Sequence, residues 1–403
     1  MEGRMNTARS IRFVSLVLLL IAVPLLASCG GQVQQVVVTQ EVPVEVVVTK
    51  EVVVDLAPKP RNGTQFVVAM SMRNDPSQET EKLYLDQIRK AFEGFGAKYI
   101  ECSGKSSAVT QANCIDNFIA QDVDLIAIWP VDNIAIASSI DKADAAKIPV
   151  FTFIATVPAD TKAKVTFSMN VDNAAAARNA GNALVKALTE KYGSPRGTVL
   201  EITGLMTEGN AKLRRQGFHE VVEKYPDIKI TEKPGDWDTS KAATITTDWF
   251  TAHPDTDAVY VHSDCNYLPG VESSLKALGM WKKMSEEGHV IGVGQDGCNL
   301  TLYDVKFGYW DMSSDFAIGD LGRVFTYAPL QYLKTGKIPA LGDGIVDTST
   351  YWKFAVVAND PDAAGGLVMY INIVPVTAFE ANDPRLFGNQ FQPEPNGLTV
   401  SYK

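Results

Sequence analysis

DLIAIWPVDNIAIASSIDKADAAKIPVFTF, residues 124–153, carries the pattern that decides the fold. Its first seven residues, DLIAIWP (124–130), are a short apolar run closed by proline, and its last six, IPVFTF (148–153), are another. Between them Asn133–Lys147 has the length and composition of a helix. Strand, helix, strand is the repeat of a parallel sheet with helices on its faces. Upstream the pattern continues as FVVAM (66–70), a helical stretch from Glu79 to Phe95, and KYIEC (98–102). Downstream come KVTFSM (164–169), GTVLEITG (197–204), DIKITEK (227–233), DAVYVHS (257–263) and HVIGVGQD (289–296), again spaced by helical stretches. Nine strands of this kind exceed one ordinary sheet, so the expected class is α/β with two doubly wound, parallel-sheet lobes. In such sheets ligands collect beyond the carboxyl ends of the strands.

The amino-terminal end has a different character. Arg4, Arg9 and Arg12 flank an apolar run from Phe13 to Leu26, and Leu26-Ala27-Ser28-Cys29 closes it. The run is too short for a comfortable membrane span and has the layout of an export signal. It resembles a bacterial lipobox, which implies cleavage of residues 1–28, lipidation of Cys29 and attachment to the outer face of the cell membrane. An ordinary secretory signal or a short signal anchor is the alternative. Residues 30–61 are a Val, Thr, Glu and Pro near-repeat, read as a tether between lipid and body, with a docking strand for a partner as the other reading. Losing three Arg and one Glu with residues 1–28 takes the formal charge from -10 to -12. An acidic chain without a Lys/Arg block offers no surface for nucleic acid.

Four cysteines remain beyond Cys29: Cys102, Cys114, Cys265 and Cys298. Export permits disulfides; local pairs fit the spacing, and free thiols are the alternative. No C-x-x-C occurs, and the four histidines (His219, His253, His262, His289) form no H-E-x-x-H, so no metal is expected. Residues 292–297 read G-x-G-x-x-G after a strand. There Asp296 would crowd a pyrophosphate with like charge, so neither a dinucleotide cofactor nor an enzyme is expected.

In their order, several segments resemble the type I periplasmic solute-binding proteins, in the branch of ribose- and galactose-binding components of bacterial ABC importers. They are Asp75-Pro76, Asp124–Pro130, Lys147–Val150, Val171-Asp172-Asn173 leading to Gly181, Arg214–Phe218, Ala252–Asp255, Ala258–Tyr260 and Gly292–Gly297. The resemblance covers about residues 65–345. It implies two lobes joined by a three-segment hinge that close on a small sugar or polyol, with a permease and ATPase as partners and a monomeric body. A sensory role, presenting the ligand to a chemoreceptor or sensor kinase, is the alternative. The implied boundaries are 62–170 plus 313–345 for the first lobe and 171–312 plus 346–403 for the second.

A sugar site needs partners for vicinal hydroxyls and an aromatic face for the ring's C–H surface. Asp296 matches the family's hydroxyl-binding carboxylate and Trp237 its ring-stacking position, with a turn role and lobe packing as their alternatives. Ser263 is a hydroxyl contact or a helix cap. Lys212 and Arg214 fall where the family places arginines, and Asp75 follows the first strand. Trp129 supplies a ring or packs the core, and Ser313 matches a polar hinge residue. The first lobe departs from the pattern, since Ile154 and Ala155 stand where the family carries an Asp-Arg pair; a less polar or differently shaped ligand is implied.

Overall fold

The computed structural model describes residues 57–76, 79–393 and 400–402. Cys29, the apolar run before it and most of the Val-rich spacer lie outside them. The spacer's expected last residue, Arg61, is already docked on the body: its backbone N–H donates to Asp124 at 2.6 Å and its guanidinium to Asp122 at 2.6 Å.

The expected strands form. β1 (Val67–Met72), β2 (Lys98–Ser103), β3 (Leu125–Ile128), β4 (Val150–Phe153) and β5 (Phe167–Val171) belong to one sheet. β6 (Gly197–Thr203), β7 (Ile228–Pro234), β8 (Ala258–Val261), β9 (Ile291–Asp296) and β10 (Met312–Asp315) belong to another. β11 (Gly344–Val346), β12 (Phe354–Asn359) and β13 (Leu367–Ile371) return to the first sheet, and β14 (Val374–Val376) ends in the second. The orders are β11-β12-β13-β5-β4-β3-β1-β2 and β14-β10-β9-β8-β6-β7. Within each, the strands of the strand-helix repeat are parallel, and β11, β12 and β14 add antiparallel edges.

Helices α1 (Glu79–Gly94), α2 (Ala108–Ala120), α3 (Ala137–Ala145), α4 (Asn173–Tyr192), α5 (Gly209–Val222), α6 (Thr239–Ala252), α7 (Asp264–Ala277), α8 (Asn299–Phe307) and α9 (Leu321–Thr335) connect the strands. Because apolar side chains leave the central strands on both faces, each sheet is packed on both sides. β3 and β4 are buried at every position. Ser107, Asp172, Asp238 and Ser263 each accept a backbone N–H of the following helix, which stops strand geometry and starts helix at a fixed residue. The small side of Gly217 lets α5 lie against α4; a Cβ there would sit 2.2 Å from the Ala174 carbonyl oxygen.

The chain passes between the lobes three times: from β5 into α4, from β10 to α9, and from β13 to β14. This corrects the expected boundaries at two places. β10 lies in the second sheet, where Ser313–Asp315 align with Gly294–Asp296, although 313–345 was expected in the first lobe. β12 and β13 lie in the first, because β13 extends it beside β5 with Val368 opposite Ser168, although 346–403 was expected in the second lobe. Both disulfides are present and local. Cys102–Cys114 ties β2 to α2 with Cα atoms 5.8 Å apart, and Cys265–Cys298 ties α7 to the residue capping α8 at 5.3 Å. Among the described residues no helix is long and apolar enough to cross a membrane.

Candidate functional site

The carboxyl ends of both sheets border one cleft, with an empty volume of about 650 Å³ including its open mouth. Arg73 follows β1, Trp129 β3, Ile154 β4, Trp237 β7 and Ser263 β8, while Asp296 ends β9; all six line it.

Asp296 is the centre of the second-lobe side. Its carboxylate takes the Ser263 hydroxyl and faces Arg214, whose Nη1 lies 3.2 Å from Oδ1. Arg214 is itself fixed: Nε donates to Asn173 at 2.8 Å, Nη1 to the His262 carbonyl, and the guanidinium lies over the rings of Phe316 and Trp237. Burial pushes the Asp296 pKa up more than Arg214 pulls it down. Behind it, an oxygen of Asp264 lies within 4.8 Å of one of Asp296. Burial first, and then the Asp296 charge, push Asp264 well above the usual carboxylate range. Asp264 accepts from the Ser313 hydroxyl and from Gly297 N–H at 3.2 Å. Of the two acids, Asp296 is the one that lines the cleft, and Arg214 braces it.

Trp237 is held in place rather than free in a loop. Its backbone N–H donates to Tyr267 Oη at 2.7 Å, that hydroxyl donates to Thr203, and the two rings stack at 6.1 Å. Its indole lies against Gly204, where a Cβ would come within 2.1 Å of it. Indole Nε1–H donates to Glu208 at 3.1 Å. Glu208 in turn receives Arg73 of the first lobe at 3.3 Å, so one carboxylate links the stacking ring to the opposite wall. Burial raises the Glu208 pKa against the pull of Arg73.

The first-lobe side is built differently. Trp129 meets Tyr84 and Phe153 edge-on at 5.6 and 5.9 Å, and the Arg73 guanidinium lies 4.6 Å from its ring centroid. Ile154, Ile318 and Leu321 complete the wall, with Arg73 also paired to Glu81 at 3.4 Å. Backbone strain gathers around this cleft: Ile154, Trp237, Asp296 and Ala317 all have positive φ, of 58°, 62°, 118° and 51°. For non-glycine residues such angles cost energy and persist where surrounding structure enforces them.

Of the residues read from sequence, Asp296, Trp237, Ser263, Arg214 and Trp129 line the cleft together. Ser263 is both a helix cap and a cleft residue. Ser313 is fully buried behind them, bracing Asp264. Lys212 and Asp75 are not brought to the cleft; both are exposed. Two residues along α5 from Arg214, Lys212 projects from the opposite side, whereas Asn210, four residues away, shares Arg214's face and lines the cleft. Asp75 loses its place because the chain bends at Arg73-Asn74, leaving Arg73 in the cleft instead. Arg73, Glu81, Tyr84, Asn210 and Asn266 were not foreseen. A charge directly after a strand, as at Arg73, was the one signal that could have found them.

The G-x-G-x-x-G stretch is explained by packing. The space beside Gly292 is filled by Trp310 and that beside Gly294 by Val261 and Asp264, so its glycines serve the protein's own side chains. Among the described residues, two groups have atoms close enough to share a metal. In one, His219 is bonded at both nitrogens, to Glu201 at 2.7 Å and Glu223 at 2.8 Å, while Glu232 pairs with Arg215 at 2.7 Å. The other, Asp264, Cys265 and Asp296, has its sulfur committed to a disulfide. Both groups are satisfied as they stand.

Residues 68–338 match the model of the periplasmic binding protein domain family. Among curated proteins, the D-apiose import binding protein of Paraburkholderia graminis is 30% identical over 190 residues, 47% of this chain and 56% of that protein. The ribose import binding protein of Bacillus subtilis is 24% identical over 247 residues, 61% of this chain and 74% of the relative. The chain thus aligns with little more than half of the apiose protein's length. Two solved structures share the fold: a galactofuranose binding protein (TM-score 0.65, 20% identity, 79% of this chain and 96% of that one) and an Actinobacillus succinogenes solute binding protein with bound D-allose (TM-score 0.62, 22% identity, 79% and 100%).

Proposed function

The chain belongs to the periplasmic binding protein family, and from that premise we propose that it is the extracytoplasmic binding component of an ABC importer for a small, neutral sugar or polyol. The supporting observation is the Asp296–Arg214 pair set between Trp237 and Trp129 at the meeting of two lobes. A carboxylate accepts two hydroxyl protons at once, the arginine donates to a ring or hydroxyl oxygen, and an indole packs on C–H faces. Each arginine lining the cleft is already paired with a carboxylate, Arg73 with Glu81 and Glu208 and Arg214 with Asp296, so a phosphorylated or carboxylated ligand would meet no uncompensated cation there.

Binding works by closure. Groups from both lobes contact the ligand at once only when the lobes approach, so the ligand stabilises the closed form by the contacts the open form lacks. Arg73–Glu208 is a protein contact across the same gap and reports closure. Cys29, lipidated, and the Val-rich spacer would hold a monomeric body beside its permease. The ligand leaves unaltered.

The test is a thermal-shift screen against monosaccharides and polyols, followed by calorimetry, since saturating ligand raises stability by RT ln(1 + [L]/Kd). Stabilisation by a neutral sugar that is recovered with unchanged mass supports the proposal. Chemical conversion of the ligand, or response to anionic sugars alone, rejects it.

A further inference from the structure

We infer that the cleft selects sugars lacking one hydroxyl, with a deoxy or methyl-bearing edge turned toward the first lobe at Ile154; this rests on the sugar-binding reading above. Polar groups are unevenly divided between the walls. Asp296, Ser263, Arg214 and Asn210 reach the cleft from the second lobe. From the first lobe come Ile154, Ile318, Leu321 and the edge-packed rings of Trp129 and Tyr84, the Tyr84 phenol being a neutral polar group on that side. The charged pair on that side, Arg73 and Glu81, is joined to itself, and Arg73 also spans to Glu208 while lying on the Trp129 ring. A ligand hydroxyl pressed against Ile154, Ile318 and Leu321 gives up water without gaining a partner, which weakens binding roughly tenfold to a hundredfold. A methyl or methylene in the same place gains apolar contact instead.

Backbone geometry at Ile154 makes its identity informative. A β-branched residue at φ 58° is an outlier, because Cβ crowds the backbone there; glycine or asparagine would sit more easily. The isoleucine also packs against the first-lobe core while lining the cleft. Strain kept at a cleft-lining position, where a polar residue would be less strained, indicates that the apolar side chain itself is used.

The experiment measures affinities of the full chain for matched pairs that differ by one hydroxyl: L-fucose and L-galactose, L-rhamnose and L-mannose, 2-deoxy-D-ribose and D-ribose. The deoxy member of the best-bound pair is expected to bind at least tenfold more tightly. Ile154→Asn, which suits the positive φ and should fold at least as stably, supplies a partner for the missing hydroxyl and is expected to abolish or invert that ratio. Ile154→Gly relieves the same strain without a partner and is expected to lower both affinities while leaving the preference for the deoxy member. A hydroxylated sugar bound as tightly as its deoxy partner, or an unchanged ratio in Ile154→Asn, overturns the inference alone. Failure of all six sugars to bind overturns the sugar-binding reading beneath it.

Discussion

The two walls of the cleft solve different problems. On the second-lobe side a buried carboxylate is braced by Arg214 and the Ser263 hydroxyl, and one layer back Asp264 is tied to Ser313. On the first-lobe side two isoleucines, a leucine and edge-packed aromatics are continuous with the hydrophobic core. Groups that must keep a charge out of water need a network to do so, and they need it before the ligand arrives. Apolar residues need no such network, so they shape the site without fixing hydrogen bonds. On the proposed sugar-binding reading, the polar wall supplies most of the binding free energy and the apolar wall sets which ligand outline is accepted.

Breaking the polar wall should have the largest effect. Asp296→Ala removes the acceptor and leaves Arg214 buried without its partner, so affinity measured by calorimetry is expected to fall about 100-fold or more. Asp296→Asn, which keeps the shape, should recover only part of it. An unchanged affinity in both would remove this wall from the site. Trp237→Ala should weaken binding by about 30-fold, from lost ring contact and from release of Glu208. The contact between the walls comes next. Arg73→Met or Glu208→Gln should lower affinity by about tenfold or less, while small-angle scattering shows a larger open fraction without ligand; equal scattering would show that the ion pair does not bias closure.

A buried acid at a crossing between the lobes gives a pH-dependent test. Burial pushes Asp315, at the end of β10, and Asp304, in α8, up to about 7. Both are neutral in the fold below that pH, whereas in the unfolded chain they ionise near 3.8. Stability from a raised acid is complete below its unfolded value and is lost as pH rises toward the folded value. Tm is therefore expected to fall by roughly 2–6 °C between pH 5 and pH 8, and Asp315→Asn should flatten that slope. His219 and His289, both raised, push in the same direction. A Tm that climbs over this range would contradict the assignment. The smallest effects belong to residues outside both walls: Lys212→Ala and Asp75→Ala should change affinity by less than about twofold.

How much of this was legible follows from how local each signal is. Asp296, Trp237, Trp129 and Ser263 each follow or end a readable strand, and a strand's end is where a doubly wound sheet exposes side chains to ligand. Lys212 was misplaced and Asn210 missed because a helical face is set by a rotation of about 100° per residue, so a shift of two positions reverses it. β10 reads MSSD, a polar run that no apolar pattern marks, yet it is buried throughout because Ser313, Ser314 and Asp315 all find hydrogen-bond partners. The return of β12 and β13 to the first sheet left no sign in the composition of the segment.

By itself the sequence determined the repeat of strand and helix, hence two parallel lobes with a cleft at their strand ends, together with the residue types that could meet a sugar there. Local periodicity is enough for this, because it depends only on which face of each element is apolar. Only the packing of distant elements brings Arg73 to Glu208, 135 residues away, buries Asp264 beside Asp296 so that its pKa is pushed well up, and turns Ile154 to the cleft at a strained angle. Those outcomes depend on which groups lose water together when distant elements meet, and no local stretch of chain encodes that desolvation.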